Sequence, residues 1–159
     1  MRYITIGIIG LLAGVLLAAC GTPASEQATD DQTVRTIQVY QSPTCGCCNN
    51  WVSYMEEQGY TVTVEEVMDL TAIKAEHQIP TNFQSCHTAL IDGYVIEGHV
   101  PAADIERLLT ERPAVVGIGV PGSPISAPGM EVEGVAPQPF DVLTFDESGT
   151  TTVYSSYNQ

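Results

Sequence analysis

Between Thr36 and Pro113 the hydrophobic period of this chain switches repeatedly, and that succession limits the fold more than any other feature. Thr36-Ile37-Gln38-Val39-Tyr40 alternates, as a half-buried strand does. From Cys47 to Gln58 the period lengthens: Trp51, Val52, Tyr54 and Met55 suit one face of a helix, Ser42 or Thr44 is placed to cap it, and Gly59 stops it. Thr61–Val67 alternates again and is rich in β-branched residues. Asp69 is expected to cap a short helix from Leu70 to His77, with Pro80 beyond its end. His87–Ile91 and Tyr94–Glu97 flank Asp92-Gly93, the strongest short hairpin signal. Pro101 opens a third helix with Ile105, Leu108 and Leu109 on one face, and Pro113 ends it.

The resulting order, β-α-β-α-β-β-α, is that of an α/β thioredoxin-like domain: a βαβ unit, then an antiparallel hairpin and a final helix. In that arrangement the loop after the first strand lies beside the start of the third. The remaining third of the chain differs. Residues 116–130 are rich in Gly and Pro with no element period, and Phe140–Phe145 with Thr151–Tyr154 suggest a hairpin around Asp146-Glu147-Ser148-Gly149. This extension has too few apolar residues for its own core, so residues 35–159 are expected to form one extended domain. Trp51 and Tyr54 are expected to pack the first helix on the sheet, and Met55 and Met68 to lie in the core.

The first nineteen residues read as an export signal. Arg2 is followed by an apolar run, Ile4 to Ala19, that is shorter than the ~20 residues of a spanning helix. Leu17-Ala18-Ala19-Cys20 resembles a bacterial lipobox, which makes Cys20 the lipidated residue. Residues 20–34, without a large apolar side chain up to Thr33, then form a flexible tether. The expected address is an exported lipoprotein facing the periplasm and touching the membrane only through its anchor. Gly21 after the cysteine favours the outer membrane in a Gram-negative source. Losing Arg2 takes the net charge from −14 to −15. With Lys74 the single lysine, no basic patch can be assembled, which excludes nucleic acid as a partner.

Sulfur carries the chemistry. Cys45-Gly46-Cys47-Cys48 stands at the junction of the first strand and helix, and Cys86-His87 begins the third strand. The predicted fold therefore brings together two clusters about forty residues apart. A helix N-terminus stabilises one thiolate, but three close together raise one another's pKa until a cation neutralises them. Thiolates select Cu(I) and also serve Zn(II). Copper, as one or more Cu(I) ions, fits the crowded Cys45, Cys47, Cys48 and Cys86 better than a zinc tetrahedron, which draws on separated ligand pairs. Zinc held by three cysteines and His87 is the alternative metal. His87 either completes the shell or, by strand alternation, faces away from it. His99 is expected to cap the third helix or to stand behind the ligands, with a place among the metal ligands as a second-tier role. Met130, a thioether in an otherwise unpackable loop, either fills a gap or closes over the site.

Val39–Cys48, Ser85-Cys86-His87-Thr88-Ala89, Gly93–Ala102 and Pro128-Gly129-Met130-Glu131 together resemble the CopG-like copper-resistance proteins, from about Thr36 to Tyr154. The resemblance implies an exported thioredoxin-like domain that binds copper through Cys45, Cys47, Cys48 and Cys86, with His87 alongside. It also implies a setting of copper efflux and resistance systems; on the copper-binding reading, efflux or oxidase proteins are the expected partners. One departure is Ser123, where relatives carry methionine in the Gly/Pro loop. A second function remains open on the residues alone: thiol–disulfide exchange, with Cys45 as nucleophile and Cys48 as resolving thiol. Against it, Ser85-Cys86-His87 stands where a thioredoxin-type enzyme has a proline.

Overall fold

The computed structural model describes residues 35–159. The expectations for the signal, Cys20 and the tether lie outside these residues. The elements follow the order read from the periods: β1 (Thr36–Gln41), α1 (Gly46–Glu57), β2 (Thr61–Glu66), α2 (Thr71–Glu76), a 3-10 turn (Thr81–Phe83), β3 (His87–Ile91), β4 (Tyr94–Glu97) and α3 (Ala102–Glu111). Then come β5 (Gly117–Gly119), β6 (Phe140–Phe145) and β7 (Thr151–Tyr157).

All seven strands form one mixed sheet in the order β2-β1-β3-β4-β5-β6-β7. β1 runs parallel to β2 and antiparallel to β3, with Gln41 opposite His87. The hairpin between β3 and β4 turns at Asp92 and Gly93, whose φ values of 49° and 86° are what this Asp-Gly turn requires. Side chains of alternate residues separate two cores. Trp51 and Met55 of α1 and Ile105, Leu108 and Leu109 of α3 cover one face, over Ile37, Val39, Ala89 and Ile96. Ile79 and Phe83, which follow α2, cover the other, with Val95 and Phe145.

Three expectations are corrected. Residues 117–119 are not loop but strand: β5 pairs parallel with β4 and antiparallel with β6, and so joins the extension to the first half of the sheet. Its glycines serve close approach. A Cβ on Gly117 would lie 2.0 Å from the Val95 carbonyl oxygen, and one on Gly119 2.4 Å from the Phe83 ring. Met68 is 82% exposed rather than core, because it follows β2, the outermost strand. Neither Ser42 nor Thr44 caps α1; Cys45 is the N-cap and makes no side-chain capping bond. Among the described residues, no helix is long and apolar enough to cross a membrane.

Candidate metal centre

The chain leaves β1 through a turn in which the Cys45 N–H donates to the Ser42 carbonyl (3.0 Å), and α1 starts at once. Because no side chain caps the helix, its leading N–H groups keep their partial positive charge, and the N-cap Cys45 and two of the first three helical residues, Cys47 and Cys48, carry sulfur. Antiparallel pairing of β1 with β3 then brings the start of β3 to this same end of the sheet. The Sγ atoms of Cys45, Cys47, Cys48 and Cys86 all lie within 4.8 Å of one another. The two distant stretches converge, as expected from the order of the elements.

The four sulfurs are not equivalent. Cys45 and Cys48 are joined by a disulfide, whereas Cys47 and Cys86 are free and half-buried. Cys47 Sγ lies 3.5 Å from Cys45 Sγ. Cys86 is pushed up to about 11, chiefly by burial and then by the charge of Cys47, while hydroxyls of Ser85 and Ser123 pull the other way. It is therefore a thiol at neutral pH.

Two imidazoles complete the cluster. His87 is fully buried against Trp51, with ring centroids 4.6 Å apart, and its Nδ1 lies 3.5 Å from Cys86 Sγ. It thus faces the α1 side, where the sulfurs are. Its Nε2 is buried with no hydrogen-bond partner. His99 neither caps α3, whose N-cap is Pro101, nor stands apart from the sulfur. The positive φ of Gly98 (71°) turns the chain so that His99 is fully buried. Its Nδ1–H donates to the Pro128 carbonyl (2.8 Å), which leaves the Nε2 lone pair 3.0 Å from Cys86 Sγ. His99 is thus nearer to Cys86 than His87 is. Burial lowers the pKa of both rings, that of His87 strongly, so both are neutral at pH 7 and hold a lone pair for a ligand.

This donor set suits a soft metal ion: thiol sulfurs, neutral imidazoles, and one buried ring nitrogen with nothing to bond. The disulfide qualifies the fit. Its sulfurs are not thiolates, so the full set of four exists only in the dithiol form. Met130 belongs to a loop that folds over α1. Asn50 Nδ2 donates to the Gly129 carbonyl (3.3 Å), and Met130 packs half-buried against the main core. That loop reaches the cluster through the Pro128 carbonyl on His99.

The residues that sequence reasoning missed lie on the other face of the sheet. Glu97 is fully buried, with Lys74 Nζ 2.5 Å and the Ser85 N–H 2.6 Å from Oε1, and the Thr88 hydroxyl 2.7 Å from Oε2. Alternation in β4 already puts Glu97 on the same side as buried Val95, and the chain's single lysine was the cation available to meet it. Ser123, a departure from its relatives, is among the groups that lower the pKa of Cys86 against the effect of burial.

Residues 83–130 match the family model described as "Protein of unknown function, DUF411". No curated protein matches the chain. A solved structure titled "Copper resistance protein copG- Form 2" is 41% identical over 77% of this chain and 98% of its own, with a TM-score of 0.73. The structure titled "Form 1" of the same protein is 40% identical over 78% of this chain and 98% of its own, also with a TM-score of 0.73. At that identity, over nearly the whole length of those proteins, this chain belongs to the CopG-like copper-resistance family.

Proposed function

We propose that this protein is an exported, lipid-anchored copper-binding protein that holds Cu(I) through clustered thiolates in copper resistance. Its first seven elements are read as a thioredoxin-like domain, and β5 to β7 as the extension. Cys45, Cys47, Cys48 and Cys86 supply sulfur in the dithiol form, with His87 and His99 as nitrogen donors and Met130 held in the covering loop. Efflux or oxidase proteins would receive the copper. The observation that carries this reading is the meeting of four sulfurs and two neutral imidazoles from separate elements. The name of the relatives supplies copper as the metal. Titrating the reduced protein with Cu(I) against a competing chelator tests it. Affinity should fall on Cys47→Ser and on Cys86→Ser, and an affinity equal to that of a bare C-x-x-C control refutes it.

The Cys45–Cys48 disulfide favours a second reading, thiol–disulfide exchange of the thioredoxin type. The two readings share chemistry, since two Cu(II) ions oxidise two thiolates to a disulfide and leave as two Cu(I). Insulin reduction that needs Cys48 and ignores copper would establish exchange as the function. Turnover no faster than that of the Cys48→Ser variant would remove it.

A further inference from the structure

The buried ion pair on the face of the sheet opposite the sulfurs bears directly on the centre. β3 begins at His87, so Cys86 lies on an irregular segment just before it, without the ladder that holds the rest of the strand. Glu97 brackets that segment. Its Oε1 takes the N–H of Ser85, the residue before Cys86, and its Oε2 takes the hydroxyl of Thr88, the residue after His87. Lys74 Nζ holds the carboxylate at 2.5 Å and lies 3.0 Å from the Thr88 hydroxyl. Both members of the pair are buried, and no polar atom of Lys74, Glu97 or Thr88 is left without a partner. The backbone adds to the bracket, with the Gly98 N–H on the His87 carbonyl (3.0 Å).

A buried ion pair is seldom worth more to stability than apolar residues of the same volume. Here its geometry instead fixes where one side chain stands. We propose that Glu97, held by Lys74, is a positioning residue for the sulfur centre, which clamps the Ser85–Thr88 segment so that Cys86 Sγ stays within reach of Cys47, Cys45 and Cys48. Its link to metal rests on the copper reading, but the clamp itself does not.

The test compares three variants of the intact chain. Lys74→Met with Glu97→Gln removes both charges and keeps an oxygen for the Ser85 N–H. Lys74→Met with Glu97→Leu removes the acceptor as well. Glu97→Asp keeps the charge and withdraws it by one methylene. The first readout needs no metal: the rate at which diamide joins Cys47 to Cys86, followed by mass spectrometry with Cys45 and Cys48 already oxidised. The Leu variant should cross-link about tenfold or more slowly and the Gln variant close to wild type, with Cu(I) affinity falling in the same order, as when other ligand-orienting partners are lost. Native-like Trp51 fluorescence reports that each variant is folded, and Glu97→Asp, expected to slow cross-linking, decides the matter if the Leu variant does not fold. Wild-type cross-linking rates in folded Leu or Asp variants overturn the proposal. If wild-type protein takes up no Cu(I), the copper reading fails and the metal-free rates still judge the clamp.

Discussion

Raising the pH is expected to tighten copper binding, and replacing Cys86 to flatten that response. Cys86 is held near 11 by burial and by Cys47, so between pH 6.5 and 9 the free protein carries it as a thiol. A metal ion takes the thiolate, and each ion bound through Cys86 therefore releases its proton. One displaced proton changes affinity tenfold per pH unit, so Cys86 alone contributes roughly 300-fold across that window. The imidazoles contribute no slope there, because burial has pushed His87 and His99 below the ordinary histidine range and both are already neutral. The assay is a Cu(I) competition titration repeated at several pH values, corrected for protonation of the chelator. Cys86→Ser should lower the slope of log affinity against pH by about one. An unchanged slope would refute the placement of Cys86 as a thiol ligand. The same shift has a consequence without copper. The folded pKa lies above the ordinary thiol value of 9.0, so the stability it contributes is full below pH 9 and is lost as pH rises toward 11.

Gly117→Ala should destabilise the fold by about 2–3 kcal/mol in denaturant unfolding, because its Cβ would meet the Val95 carbonyl at 2.0 Å and β5 would have to shift. Asp104→Ala should cost about 2–4 kcal/mol, since the buried carboxylate accepts from the hydroxyls of Ser155 (2.6 Å) and Tyr157 (2.6 Å) and so pins β7 to α3. Copper titration should be unaffected by that change, and equal losses of stability and affinity would count against the separation of extension and site. Asp146 is held below the usual carboxylate range by the Ser148 hydroxyl and the Thr150 N–H, so the turn between β6 and β7 keeps its stability above pH ~4 and loses it as pH falls through the lowered value. Amide exchange in that turn should lose this acid sensitivity in Asp146→Asn.

What was legible in the chain was local chemistry and its order. Asp92-Gly93 announces its hairpin because both positive φ values come cheaply to those two residues. The meeting of Cys45–Cys48 with Cys86 follows once β1 and β3 are neighbours, as the thioredoxin-like order of elements led one to expect. What stayed hidden depended on partners. Gly117-Ile118-Gly119 has no period to read, because its glycines are there to let β4 and Phe83 approach. Met68 looks like core by composition, but β2 is an edge strand with most of its side chains exposed. The sequence marks His99 as a residue near the site but not its contact with Cys86, since what aims it is a backbone turn at Gly98 and a carbonyl 29 residues away at Pro128. Lys74 and Glu97 were readable as a pair only after α2 was placed over β4.

The disulfide and the metal site compete for the same atoms. With Cys45 and Cys48 oxidised, Cys47 and Cys86 are the thiols left among the described residues, next to His99 and His87. Reduction by two electrons and two protons restores all four. A protein that stores Cu(I) on four thiolates would therefore lose half of them each time it reduced a pair of Cu(II) ions, and would need an external reductant to bind again. Storage and redox cycling thus predict different stoichiometries in protein isolated without oxygen. On the storage reading, copper content rises with four reactive thiols exposed on acid denaturation; on the cycling reading, copper-treated protein shows two. Two thiols together with an undiminished copper load would rule out four-thiolate coordination and leave Cys47, Cys86 and the imidazoles as the binding set.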